Sequence, residues 1–246
     1  MAAVALALAG LVLPRQACAQ EPVDLALVLA VDTSGSVNQI RYEMQKRGYA
    51  AAFRHPNVLD AIRSGRSAAI MVTMTQWTGP ETQIQVIPWR RIDSEDSARA
   101  FAAEIDGINR RLFGGGTSIS GAIDHAVKLL EAAPFRASRR VIDVSGDGSN
   151  NRGRHPSAAR DEAVDLGIAI NGLPILELEP LLDKYYTDNV VGGPGAFMIV
   201  AKTFEQFEDA IRRKLILEIG LRPEKTRRYA LSGPIRSAVL GTPFDD

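Results

Sequence analysis

Seven consecutive apolar residues, Leu25 to Val31, lead without a break into Asp32-Thr33-Ser34-Gly35-Ser36. An apolar run of this length ending in Gly and Ser reads as a strand buried on both faces, as strands of parallel sheets are. A carboxylate and two hydroxyls at alternate positions, released where such a strand ends, can turn toward one point. Hard oxygen donors of this kind suit Mg2+, Mn2+ or Ca2+ and suit zinc poorly. Taken alone, Asp32-x-Ser34-x-Ser36 also fits a helix-capping loop, because Asp and Ser favour such positions.

Two further segments narrow the choice. Gly114-Gly115-Gly116-Thr117-Ser118 is a loop that delivers a hydroxyl to the start of an amphipathic helix, with Ile119, Ile123, Val127 and Leu130 at helical spacing. Val141 to Val144 is a second apolar strand, interrupted only by Asp143, and it runs into Ser145-Gly146-Asp147-Gly148. The order strand-DxSxS, loop-Thr, strand-Asp resembles the metal-ion-dependent adhesion site of von Willebrand factor type A domains. The resemblance spans Val23 to Gly220. The ending Ser145 to Asn151 is similar to that of uncharacterised secreted bacterial members of the family. It implies that Asp32, Ser34, Ser36, Thr117 and Asp147 hold one divalent cation, Mg2+ or else Mn2+ or Ca2+. It also implies that the hydroxyls bind directly and the aspartates mostly through water. A position is then left open for an Asp or Glu side chain of a protein ligand.

The rest of the chain alternates strands with helices. Val23–Val31 is the first strand. Asn38–Phe53 is loosely helical, with Ile40, Met44, Ala51 and Phe53 apolar, and His55-Pro56 ends it. Ser67–Met74 is apolar and leads to Trp77. Gln83–Ile87 alternates as a half-exposed antiparallel edge strand, and Ser94 caps a helix carrying Phe101, Ile105 and Ile108. Strands are expected over 140–145, 167–176 and 197–201, a helix over 157–166 and a helical turn over 181–186. A final helix begins with Thr203 and Gln206 as a capping box, shows the stripe Phe204, Phe207, Ile211, Leu215 and Ile219, and stops at Gly220. This pattern predicts a doubly wound α/β domain over 23–220. Its sheet is mostly parallel with one antiparallel edge strand, and helices cover both faces. Ligands of such sheets bind beyond the carboxyl ends of the strands, where the three motifs lie.

Other chemistries fit poorly. The triple glycine lacks the Gly-Lys-Ser/Thr ending of a nucleotide loop. Asp143-x-Ser145-x-Asp147-Gly148 begins like a calcium-binding helix-loop-helix, but Arg154 stands where the bidentate acid is required. Asp143 is therefore read as a structural hydrogen-bonding residue within its strand. Ser149, Asn150 and Asn151 line the rim of the metal face or form a plain polar turn. His55, His125 and His155 show no zinc spacing and no order tied to a nucleophile elbow. Trp77 and Trp89 read as packing anchors.

Twenty-nine basic and 29 acidic residues balance, so no net field attracts a polyanion, and no nucleic acid partner is expected. Ala2–Leu13 is too short an apolar run to span a membrane and precedes the small-x-small site Ala17-Cys18-Ala19, so residues 1–19 read as an export signal. No Lys or Arg precedes that run. Cys18 is the only cysteine, and Arg15-Gln16 is a poor lead-in to a lipidated one. Cleavage leaves a thiol-free monomer with no membrane span, secreted or periplasmic, with a flexible C-terminal extension over 221–246. The leading function is a secreted metal-dependent protein-binding module rather than an enzyme. A metal-dependent hydrolase and an envelope assembly factor with a purely structural metal are the alternatives.

Overall fold

The computed structural model describes residues 22–221. The expected export signal, and the expected extension apart from Leu221, lie outside them. Five strands, β1 (Val23–Asp32), β2 (Ile70–Trp77), β3 (Gln83–Ile92), β4 (Ala137–Gly146) and β5 (Ala169–Pro174), form one sheet in the order β3-β2-β1-β4-β5. All neighbours pair in parallel except β2 and β3, which are antiparallel. The seven helices are α1 (Gln39–Arg54), α2 (Pro56–Arg63), α3 (Glu95–Gly107), α4 (Ile119–Glu131), α5 (Pro156–Asp165), α6 (Leu182–Asn189) and α7 (Phe207–Gly220). Among the described residues no helix is long and apolar enough to cross a membrane.

Strand periodicity explains the two cores. Leu25, Leu27, Leu29 and Val31 of β1 face α1, α2, α3 and α7. Ala26, Val28 and Ala30 face α4, α5 and α6 on the other side. Trp77 is fully buried in this second core, and Trp89 packs edge-to-face on Phe135 with centroids 5.0 Å apart.

Several boundaries differ from the sequence reading, each for a local reason. β2 begins at Ile70, not Ser67, because both Asp24 carboxylate oxygens accept from the Ser67 amide at 3.0 Å and hold the chain in a turn there. The residue pair that ends α1 also starts α2. His55 Nδ1 accepts from the Asn57 amide at 3.2 Å, and Pro56 takes the first position, where its missing N–H costs nothing. Residues 197–201 make only isolated bridges to Gly172 and Ile175 rather than a strand. With Gly192, which bridges Ile170, they cover the outer edge of β5. Thr203 and Gln206 form no capping box. A short 3-10 turn, Phe204–Gln206, precedes α7, and the Phe204 amide donates to Glu177 Oε2 at 3.2 Å.

The buried face of α1 is only partly the expected one: Phe53 is buried and Met44 packs against the core. Ile40 is exposed, whereas Tyr42, Gln45 and Tyr49 are buried. Their polar atoms serve the ends of the strands: Gln45 Nε2 donates to the Asp32 carbonyl at 3.2 Å, and Tyr49 OH donates to Ser145 Oγ at 3.1 Å. Where α1 meets α7, Gly48 leaves no room. A Cβ there would lie 2.8 Å from the Phe207 ring and 3.2 Å from the Glu208 backbone. Gly48→Val is expected to lower unfolding free energy by about 2 kcal/mol through overpacking. A urea melt that shows no loss would mean the two helices do not approach this closely.

α7 carries the expected apolar stripe, and between its members it buries two charges. Lys214 and Glu218 are fully buried beneath the sheet. Lys214 Nζ lies 2.7 Å from Asp143 Oδ1 and donates to Glu218 Oε1 at 3.4 Å. Asn171, the register partner of Asp143 on β5, donates to Glu218 Oε1 at 2.6 Å. Asp143 is therefore one arm of a buried ion pair rather than a simple hydrogen-bonding residue. Burial pushes its carboxyl up to about 7 against the pull of Lys214, with Glu218 adding to the rise.

Candidate metal centre

β1 and β4 are neighbours at the point where strand order reverses, and both release their chain at the same edge of the sheet. The loop after β1 is pinned from below: Thr33 donates to the Trp77 carbonyl through its amide at 2.9 Å and its hydroxyl at 3.1 Å. Asp32 Oδ1 accepts from the Ser34 amide at 2.6 Å. Ser34 Oγ and Ser36 Oγ stand 3.2 Å apart, and Ser36 Oγ donates to Asp147 Oδ1 at 2.5 Å. A residue 111 positions downstream thus meets the first motif directly.

Thr117 comes to the same place by a different route. Gly114, Gly115 and Gly116 all have positive φ, 70°, 89° and 84°, a conformation that side-chain-bearing residues rarely adopt. The loop then hands Thr117 to Asn151, whose Oδ1 accepts from the Thr117 amide at 2.9 Å and whose amide donates to the Thr117 carbonyl at 2.9 Å. A Cβ built on Gly148 would lie 3.9 Å from Thr117 Oγ1, so the hydroxyl faces the turn that follows Asp147. The structure thus links Ser34, Ser36 and Asp147 side chain to side chain, sets Asp32 against the Ser34 amide, and places Thr117 beside the turn that follows Asp147. It also resolves the open question over residues 149–151. Asn151 clips Thr117, Asn150 Oδ1 accepts from the Ser120 amide at 3.2 Å, and the Ser149 amide donates to Glu179 Oε1 at 3.0 Å. This turn braces the site's loops.

The electrostatics of the cluster are incomplete. Asp32 and Asp147 are almost wholly buried, and Oδ2 of each has no hydrogen-bond partner among the described residues. Arg41 Nη1 stops 3.9 Å short of Asp147 Oδ2. Burial pushes the Asp32 carboxyl up to about 7, and the charge of Asp147 adds to the shift. Burial likewise raises Asp147, against the Ser36 hydrogen bond and the nearby Arg41. Two buried carboxylate oxygens without donors, beside three hydroxyls, form a donor set deficient in positive charge. A hard divalent cation fits that deficit. Among the described residues no three His, Cys, Asp or Glu side chains gather to hold a metal, so the hydroxyls must complete any such shell.

Residues that the motifs did not reveal frame the cluster. Arg110 Nη2 donates to the carbonyls of Thr33 at 2.8 Å and Ser34 at 3.1 Å, and its guanidinium stacks on Phe113 at 4.7 Å. Arg41 Nη1 donates to the Ser36 carbonyl at 2.8 Å, and Nη2 pairs with Glu177 at 2.6 Å. Beneath them Gly146 admits the close approach of Asp32, since a Cβ there would meet Asp32 Oδ2 and Tyr186 OH, each at 3.0 Å. No periodicity marks these arginines in the sequence.

The family model described as "Protein of unknown function (DUF1194)" matches residues 22–223. No curated protein sequence matches. Among solved structures, a von Willebrand factor type A protein from Catenulispora acidiphila superposes with a TM-score of 0.54 at 15% identity, covering 80% of this chain and 43% of that one. Proximal thread matrix protein 1 from the mussel byssus, in a structure with a zinc-occupied MIDAS motif, gives 0.52 at 15% identity over 78% of this chain and 46% of that one. The pilus adhesin SpaC from Lactobacillus rhamnosus GG gives 0.55 at 14% identity over 82% and 32%. The chain thus spans less than half the length of these structures. They share its fold, a mixed five-stranded sheet with helices around it.

Proposed function

From the premise that this chain belongs to the DUF1194 family and folds as a von Willebrand factor type A domain, we propose that it is a metal-dependent protein-binding module and not an enzyme. One observation carries the reading: the partnerless Oδ2 atoms of Asp32 and Asp147, buried beside Ser34, Ser36 and Thr117. Ser34, Ser36 and Thr117 would hold the ion, with Asp32 and Asp147 balancing its charge. Mg2+ suits this oxygen set, as do Mn2+ and Ca2+. Once bound, the ion supplies an electrophile with a vacant position for a carboxylate oxygen of a partner's Asp or Glu.

The chain's own residues keep that position in shape. Arg41 and Arg110 fix the backbone carbonyls of the Asp32–Ser36 loop, and Asn151 fixes Thr117. The hydrolase alternative needs a base aimed at a bound water. Glu179, the nearest further acid, is spent on the Ser149 amide and hydroxyl. Residues 1–19 support export, so the module would act outside the cytoplasm, as a monomer with 23–220 as its single domain.

Titration with Mg2+ or Mn2+ tests the reading. An ion at about 100 times its Kd stabilises a folded domain by ~2.7 kcal/mol, which for ~200 residues is a rise in Tm of roughly 5–10 °C. EDTA should reverse it. A melting temperature indifferent to every divalent ion, with no heat of binding, would remove the metal from the account.

A further inference from the structure

We propose that the metal face has a ligand within this same chain, the segment Leu240–Asp246, and that the segment docks there as a self-inhibitor. The inference rests on the reading above, that the face holds a cation with an open position.

The first observation is where the apolar surface lies. Six large apolar side chains of the described residues are exposed: Ile40, Phe113, Leu166, Leu178, Leu181 and Leu217. Three of them stand on loops around the candidate metal centre, and Ile40 stands beside it in the first turn of α1. Ile40 follows the Asp32–Ser36 loop and adjoins Arg41, which holds the Ser36 carbonyl. Phe113 lies under Arg110, which holds the Thr33 and Ser34 carbonyls. Leu178 sits between Glu177, paired with Arg41, and Glu179, paired with Ser149 after the Asp147 turn, and Leu181 follows closely. Apolar side chains gathered at one functional edge mark a docking surface, whereas scattered ones need no explanation. The occupant must therefore bring a carboxylate with apolar groups beside it.

The second observation is charge. Arg111 is exposed on the loop that leads to Thr117, and Arg152, whose amide donates to the Thr117 carbonyl at 3.2 Å, is exposed on the turn after Asp147. An occupant with two adjacent acids can give one to the cation and one to this rim. Residues 222–246 meet that description at one place. Their acids are Glu224, which stands among Arg222, Lys225, Arg227 and Arg228, and the pair Asp245-Asp246. Phe244 precedes the pair directly, and Leu240 lies four residues before it.

The third observation is reach. α7 ends beside the start of β4, because Arg139 Nη2 donates to the Glu218 carbonyl at 2.7 Å. The centre lies at the other end of that 10-residue strand, about 30 Å away. The 24 residues from Leu221 to Phe244 span up to ~75 Å when extended, so the segment can return to the face of its own molecule. A tethered ligand acts at an effective concentration in the millimolar range for short linkers, enough to occupy a site whose single-carboxylate contact is weak. An outside partner would then have to displace it.

The test uses the full chain, its Asp245→Asn/Asp246→Asn variant, and a fluorescent synthetic peptide of residues 239–246 with Mn2+. Calorimetry first establishes that both chains bind Mn2+. The peptide is expected to bind the variant at least about tenfold tighter than the wild type, whose own segment competes. EDTA or asparagines at both peptide aspartates should abolish binding, and Leu181→Ser in the variant should weaken it while leaving Mn2+ binding unchanged. Equal peptide affinity for both chains, no binding to the variant, or binding that survives EDTA overturns the proposal while the metal reading stands. Absence of Mn2+ binding overturns both. A dimer of the wild type that the double substitution dissolves, seen by light scattering, would place the segment on a second copy and overturn the intramolecular form.

Discussion

Asp32→Asn is expected to abolish the response to divalent ions and to leave the metal-free domain at least as stable as the wild type. The two effects have one cause. Asp32 is fully buried, its Oδ1 accepts from the Ser34 amide, and its Oδ2 has no partner. Asparagine keeps the acceptor toward Ser34 and removes a charge that burial disfavours. With a folded value near 7 against an ordinary 3.8, the Asp32 carboxyl retains a proton that the unfolded chain releases. Its contribution to the stability of the metal-free protein is therefore present below about pH 4 and is lost as pH rises through about 7. The variant should lack that decline. Metal affinity should fall by at least about 100-fold, since a neutral amide cannot balance the ion's charge. Thermal melts from pH 5 to 8, with and without Mn2+, check both halves. A variant that is less stable without metal, or still responsive to it, would mean that Asp32 is a structural acid.

Lys214→Met is expected to cost about 3–5 kcal/mol, the usual consequence of stripping one partner from a buried ion pair. Methionine fills similar volume, so the loss reports charge more than packing. Asp143 and Glu218 would remain buried together with no cation, and only protonation could relieve them. The sign follows from the raised carboxyl. Asp143 already titrates near 7 when folded, and losing the ammonium moves it higher, so the variant's stability falls as pH rises from 5 to 8. The combination with Asp143→Asn and Glu218→Gln should recover most of the loss. Chemical denaturation at pH 5 and pH 8 measures this. A penalty under ~1 kcal/mol at pH 8 would show that the three groups are not ionically coupled.

The two features show what the chain's spelling revealed and what it concealed. β1 carries a continuous apolar run and β4 an apolar stretch interrupted only by Asp143, so both strands and their release points could be read directly. Ser36 and Asp147, from the first and third motifs, meet across 111 positions, and the glycine loop sets Thr117 beside the turn after Asp147. Lys214 and Glu218 fall between members of the apolar stripe, and no spacing marks them as buried, because their partner Asp143 lies some 70 residues earlier on a strand. Part of the buried face of α1 was missed for the same reason. Tyr42, Gln45 and Tyr49 are polar, and their burial is stabilised by hydrogen bonds with strand residues that no helical period reports. Arg41 and Arg110 act on backbone carbonyls, which every residue possesses, so nothing in the motif predicts them. The helical stripe of α7 was legible, but its capping was not, since Glu177 on a distant loop takes the Phe204 amide.

The segments laid along β5 also decide how the domain behaves at high concentration. Gly192, Met198 and Ala201 bridge Ile170, Gly172 and Ile175, so the amides on that margin are already engaged. On the opposite margin, β3 carries an exposed Pro88, which has no amide to offer, with Arg90 and Arg91 following Trp89. A neighbouring molecule therefore finds no clean row of donors at either side along which to add a strand. Such a sheet resists templated aggregation along its described margins, and a domain held at high local concentration can stay dispersed.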